Sequence, residues 1–318
     1  MLSIRISQDA EECARIWAKA WPQRCIFDLW EVRTCFASCF GNTPYFIVAE
    51  ESDEISGLLA LSWIEESNNF GQFPGETWRA KTWLEQNKVP AQSRHAVQAV
   101  LESVPGDLHV RYLTPEFLPE DSFPLAVDEV GFLFFPGRYG YCFNNYMLEF
   151  SGKSRKKLSR EISTLQSGGI SYRYDHCADI QWMFRRNLES FGELSYFSDP
   201  RFLSSYEKLV AYLFDNNFLR VTTVLLGGVV AAVDIGTVWN NVYTVLAGAT
   251  NPCFPGVAKI INLHHLEWAC RQRLDMVDFL CGDFGWKQRF HLTQRPLYGI
   301  YRRTASTPFA ELRSGSIR

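Results

Sequence analysis

The residues best suited to chemistry gather in the second half of this chain. The decapeptide CGDFGWKQRF (281–290) follows the apolar run Met276-Val277-Asp278-Phe279-Leu280 and sets Trp286 and Lys287 beyond a turn through Gly282 and Gly285. Such a turn has an ordinary reading, with the lysine solvated and the tryptophan packed on the strand end. Asp234 lies in VVAAVDIGTV, on the strand side that carries Val230 and Ala232. A carboxylate there is costly unless paired or protonated, so Asp234 is a candidate proton acceptor. An edge position facing water is the alternative. His264 shares a helix face with Val257, Ile260, Ile261 and Trp268 and reads as a core histidine, whereas His265 is expected to point away from that face.

A second group of residues suits anions. In ATNPCFPGVAK (249–259) an apolar strand ends, a Pro/Gly loop follows, and a helix starts near Val257. Backbone N–H groups exposed at a helix start hold phosphates. Pro255, Gly256, Val257, Ala258 and Lys259 are therefore candidate donor-binding residues. Lys153, Arg155, Lys156, Lys157 and Arg160 crowd one short helix and read either as a solvated face or as an anion surface, with Lys156 the candidate ligand. The GKS at 152–154 is not a phosphate loop, because Met147 stands where that motif needs glycine. No G-x-S-x-G elbow occurs, so acyl-enzyme chemistry has no support.

The elements that must position these residues follow from periodicity. Helices are expected over 9–21 and 28–39, then two strands around a polar hairpin at 51–54. Residues 76–104 read as mostly helical with a break at Pro90, and 107–113 as a strand. The stretch 114–140 reads as a long Pro-, Phe- and Gly-rich connection, and 141–150 as a strand. A helix with the apolar stripe Leu158, Ile162, Leu165 ends at Gly168-Gly169. A strand, helices over 178–192 and from Pro200 to about 217, and three strands come next. A helix at 257–272, a strand at 276–280 and a closing strand at 297–303 complete the pattern, with a short polar tail after Thr304. Two related α+β units account for this order.

At 318 residues the chain is long enough for two cores. Its 47% hydrophobic and 21% charged residues exclude a disordered chain, and a net charge of −3 gives no global attraction to nucleic acid. No run of eighteen apolar residues exists and the amino terminus lacks a secretory core, so a cytoplasmic protein without a membrane span is expected. Nine cysteines, none in a CxxC pair, suggest buried thiols rather than disulfides or a metal site.

Three segments, SRKKLSREISTL, NPCFPGVAKIINLHHLEWA and VDFLCGDFGWKQRF, resemble in order and spacing the BioF2-like (CelD-type) acetyltransferase domain of the GNAT superfamily, which is related to the Fem aminoacyltransferases. The resemblance covers roughly 145–305. It implies two tandem GNAT-like domains, each a mixed, mainly antiparallel sheet flanked by helices, with a degenerate unit at 1–144 and the acyltransferase unit at 145–318. It implies an acyltransferase that moves an acyl group from acyl-CoA (acetyl-CoA) to a small-molecule or peptide amine in the cleft between the domains, without a metal, as monomer or homodimer. Lys287 falls where the family places its oxyanion-stabilising lysine, and Asp234, the expected base, replaces a small residue of the family. The family's diphosphate loop is shortened here to FPGVAK. Two alternatives accompany this reading: an aminoacyl-tRNA donor, as in Fem-type enzymes, and a binding protein that kept the fold and lost the reaction.

Overall fold

The computed structural model describes residues 1–115, 125–282 and 285–303. In chain order the elements are β1 (Ser3–Ser7), α1 (Ala10–Ala20), α2 (Trp30–Phe40), β2 (Pro44–Glu51), β3 (Glu54–Ile64), β4 (Asn69–Gln72), α3 (Arg94–Glu102), β5 (Leu108–Leu113) and β6 (Leu125–Phe134). There follow α4 (Phe143–Tyr146), α5 (Gly152–Gln166), β7 (Ile170–Tyr174), α6 (Cys177–Phe191), α7 (Pro200–Asp215), β8 (Leu219–Leu226), β9 (Val229–Trp239) and β10 (Val242–Thr250). Last come α8 (Val257–Gln272), β11 (Met276–Asp278), α9 (Trp286–Arg289) and β12 (Thr293–Arg302). The described residues of 1–130, 204–206 and 296–303 form one compact unit, and those of 131–203 and 207–295 form the other. The division falls at Val130/Gly131, where the sequence reading places 144/145, because Leu133 and Phe134 already pair with Asp278 and Val277 of β11.

Each unit is a mixed, mainly antiparallel sheet flanked by helices, as the resemblance implies. The first runs β1-β2-β3-β4-β5-β12, antiparallel except for the parallel step between β4 and β5. The second runs β7-β8-β9-β10-β11-β6, antiparallel except for the parallel step between β10 and β11. The two units therefore share one plan: four antiparallel strands, a parallel fifth, an antiparallel sixth.

The alternation of β2 and β3 builds two cores on one sheet. Phe46, Val48, Leu58 and Ala60 pack with Trp17 of α1 and Trp21 just after it, while Ile47, Leu59 and Leu61 pack with Val97, Val100 and Leu101 of α3. Both faces are covered, which is why GLLALSWI reads as a continuous apolar run. In the second unit Ile162 and Leu165 of α5 join Val224, Ala232, Val257, Ile260 and Ile261, the stripe the sequence predicts.

Four expectations change. Only Arg94–Glu102 of 76–104 is helical. The carboxylate of Glu76 accepts from the N–H groups of Trp83 (3.1 Å) and Leu84 (2.8 Å), and Lys88 Nζ meets Asp28 at 2.5 Å, so side chains fix this backbone in an irregular path. The stretch 141–150 forms helical turns rather than a strand. Part of 114–140 is the strand β6; residues 116–124 of that connection, 283–284 of the turn and the tail from Thr304 lie outside the described residues. All nine cysteines are free, but only Cys13, Cys25 and Cys270 are buried, and Cys142, Cys177 and Cys253 are exposed. No helix among the described residues is long and apolar enough to cross a membrane.

Candidate active site

In the second unit β10 pairs with β9 along its whole length but with β11 only at Val242, Tyr243 and Thr244. A register shift between Val245 and Ala247 follows in the ladder with β9, beyond the residues that pair with β11. Such bulges re-aim a strand next to functional sites. Open α/β sheets bind ligands beyond the carboxyl ends of such parallel strands. Three candidate groups belong to this unit.

The first is Asp234 on β9. It is buried (7% exposed), so the edge reading is excluded. Oδ2 lies 2.9 Å from Nε2 of His265, a residue on α8 with no exposure at all. Gly248 of β10 stands opposite Asp234 in the ladder, and a Cβ on it would sit 1.9 Å from Oδ1. The carboxylate is thus laid across β10, and only glycine admits it there. His265 Nδ1 is buried without a hydrogen-bond partner among the described residues, and the Tyr243 ring packs 5.1 Å from the His265 ring. Burial, reinforced by the charge of Asp234, pushes the Tyr243 phenol upward, so it stays protonated.

The sequence reading missed His265. At 100° per residue, His265 lies 40° from the direction of Ile261 and His264 lies 60° from it, so both fit the apolar face. Val257, Leu263, Leu266, Ala269 and Cys270 are buried as well, because α8 is covered on more than one side. His264 is the core histidine expected: it stacks on Tyr172 at 4.0 Å, and its Nε2 accepts the Tyr174 hydroxyl at 3.1 Å. Burial, with the neighbouring His265 adding to it, lowers its pKa to about 3, so it is neutral at working pH.

The second group is the start of α8. Gly256 takes φ +90 as the N-cap, a conformation that favours glycine, and Pro255 and Ala258 are exposed beside it. The Val257 side chain is core, and its N–H already bonds Phe254 O at 3.2 Å. The Lys259 N–H bonds Gly256 O at 3.0 Å, and its ammonium is tied to Glu161 of α5 at 2.5 Å. What remains for an anion is the Ala258 N–H and the helix dipole, enough for one phosphate oxygen rather than an enveloping diphosphate loop. Lys156 is exposed on α5; the described ion pairs join α5 to this helix start through Glu161.

The third group is Lys287, in the helical turn α9. It is 2% exposed, so the solvated-turn reading is excluded. Nζ donates to the carbonyls of Phe279 (2.9 Å), Leu280 (2.9 Å) and Cys281 (2.8 Å). An ammonium has three N–H bonds, and all three are committed to the chain that continues from β11. Trp286 packs edge-on against Phe279, with ring centroids 5.4 Å apart.

A short parallel strand pair, a helix start and a buried carboxylate thus fall within one segment of the second unit. Residues 152–288, which carry all three groups, match the family model for an acetyltransferase (GNAT) domain. Among solved structures the whole chain is similar to FemX, with 9% identity, a TM-score of 0.58, and 94% of this chain and 97% of that one covered. It is also similar to the C-terminal domain of a putative lysylphosphatidylglycerol synthetase from Agrobacterium fabrum (11% identity, TM-score 0.55, 94% and 95% covered). The structure of L-PGS from Bacillus licheniformis aligns comparably (10% identity, TM-score 0.55, 96% and 95% covered). At such identities the likeness speaks to the fold. No curated protein matches the chain.

Proposed function

We propose that the second unit transfers an acyl group from an acyl-CoA thioester to an amine, in the crevice between β10 and β11. One observation supports this above all: the Asp234 carboxylate lies across Gly248, beside the strand edge that β11 leaves unpaired. When bound, the thioester supplies the activated acyl carbon. The free edge of β10 beyond Val245 offers main-chain groups to an extended donor arm, in the manner of an added strand. The residues from Pro255 to Lys259 turn the positive end of α8 toward the donor's phosphates, and Lys156 adds long-range attraction. Asp234 accepts the proton that the amine nitrogen loses as the C–N bond forms and the C–S bond breaks. His265 holds that carboxylate in place through its 2.9 Å bond and acts as a positioning residue. In this reading Lys287 shapes the crevice wall after β11; an oxyanion role would require one of its three bonds to be released.

The test is thiol release from acetyl-CoA and longer acyl-CoAs in the presence of small-molecule and peptide amines. At least one pair should turn over, and release by no pair would refute the reading. A second donor, aminoacyl-tRNA, is favoured by a separate observation: Lys153, Lys156, Lys157 and Arg160 are all exposed on α5. That reading requires tRNA binding at low salt that weakens steeply as salt rises.

A further inference from the structure

In the first unit, too, two neighbouring parallel strands pair over only a short stretch. Its β4 and β5 pair only at Phe70 and Leu108. A cavity of about 60 Å³ lies beside them, lined by Gly71 and Gln72 of β4, His109 and Arg111 of β5, and Glu76 and Asn87 between them. The charged groups on this wall are already engaged. Arg111 forms a forked pair with Asp128 at 2.8–3.0 Å, and Glu76 accepts two backbone N–H groups. Lys81, at the exposed rim, stands over the Trp78 ring. Burial also pushes the Glu76 carboxyl up and His109 down, toward the neutral form of each.

What remains unpaired is neutral. Gln72 is 8% exposed, and both its Nε2 and its Oε1 lack a hydrogen-bond partner among the described residues. Asn87 is 1% exposed; its Nδ2 donates to the Arg111 and Leu84 carbonyls at 2.8 and 3.3 Å, and its Oδ1 is unpartnered. Because both Nδ2 partners are carbonyl oxygens, the amide cannot be flipped, and Oδ1 is an acceptor. Leaving such groups unpaired is costly, so a buried cluster of them marks a place that a polar ligand completes. Gln72 and Asn87 together offer one buried donor group and two buried acceptors. A carboxylate, which only accepts, would face two acceptor oxygens. A primary carboxamide matches: its oxygen takes Gln72 Nε2–H, and its two N–H bonds go to Gln72 Oε1 and Asn87 Oδ1. At roughly 10–15 Å³ for each water-sized group, the cavity holds about four to six heavy atoms, the size of such a head group.

We propose that this cavity of the first unit is a binding site for a small neutral molecule, held by a primary carboxamide head on Gln72 and Asn87. The site is separate from the acyl-transfer crevice and does not depend on that reading.

The test titrates propionamide and propionate into the ¹⁵N-labelled full chain and follows backbone amide resonances. Propionamide should shift Gly71, Gln72 and Asn87 saturably, and propionate should bind at least about tenfold more weakly, the factor that one mismatched polar contact commands. Gln72→Met keeps the side-chain length and removes both polar atoms. It should weaken propionamide by at least about tenfold while leaving the thermal midpoint equal or higher, since an unsatisfied buried group is deleted. No saturable shift with propionamide, equal response to propionate, or undiminished binding by a folded Gln72→Met chain would overturn the proposal. The comparison of the two probes on the wild-type chain decides the matter even if the variant does not fold.

Discussion

Replacing Lys287 with methionine removes the ammonium and keeps much of the stem's length and volume. The carbonyls of Phe279, Leu280 and Cys281 then lose donors at 2.8–2.9 Å, in a place where the lysine itself is 2% exposed. A hydrogen bond to a charged group contributes about 1.5–3 kcal/mol, so three of them set an upper bound near 9 kcal/mol. The bound is not reached, because the variant is also relieved of burying a cation, and breaking a buried charged contact costs about 3–5 kcal/mol in practice. Guanidinium unfolding of Lys287→Met should therefore show a loss of about 3–5 kcal/mol with an unchanged slope. Turnover should fall along with the ordering of the chain after β11. Lys287→Arg should recover little, since a planar guanidinium cannot direct three bonds at three converging carbonyls. A loss below about 1 kcal/mol, accompanied by a hundredfold fall in kcat at unchanged donor affinity, would refute the clamp and return Lys287 to the developing oxyanion.

Gly248→Ala places a Cβ 1.9 Å from Asp234 Oδ1 and should cost about 1–3 kcal/mol in denaturant unfolding as the carboxylate is displaced; an unchanged midpoint would mean the carboxylate moves freely. Asp234→Asn should lower kcat by about a hundredfold or more while acyl-CoA affinity stays within a few-fold, as expected for a lost proton acceptor. His264 binds its proton in the unfolded chain near the ordinary value of 6.5 but in the fold only near pH about 3. Its neutral form is thus favoured by folding, stability is full above pH ~6.5, and it declines as pH falls toward 3, by at most about 1.4 kcal/mol per pH unit. Urea midpoints of the wild-type chain and His264→Phe measured from pH 7 to 4 should diverge by that slope.

The sequence discloses those elements whose burial is one-sided or whose ends carry their own signals. The stripe Leu158, Ile162, Leu165 locates α5, and the Pro/Gly loop before Val257 locates the start of α8. Strand β4 was missed, because the four residues NFGQ are too short and too polar for any period. The irregular path of 76–92 is set by Glu76, Asp28 and Lys88, contacts that join residues up to 60 apart. Asp234 was legible as a buried carboxylate in need of a partner, but the partner was misread by treating α8 as amphipathic when it is buried nearly all round. The burial of Lys287 depends on three carbonyls turning toward one point, which no residue type encodes.

The proposed reaction requires the second unit to bind an acyl-CoA and use it as donor. Calorimetric titration of the full chain with acetyl-CoA and a series of longer acyl-CoAs tests this most directly. We predict saturable heat, one site per chain, with at least one thioester, and its retention in Asp234→Asn. The absence of heat with every thioester would contradict the account and leave aminoacyl-tRNA as the donor to examine.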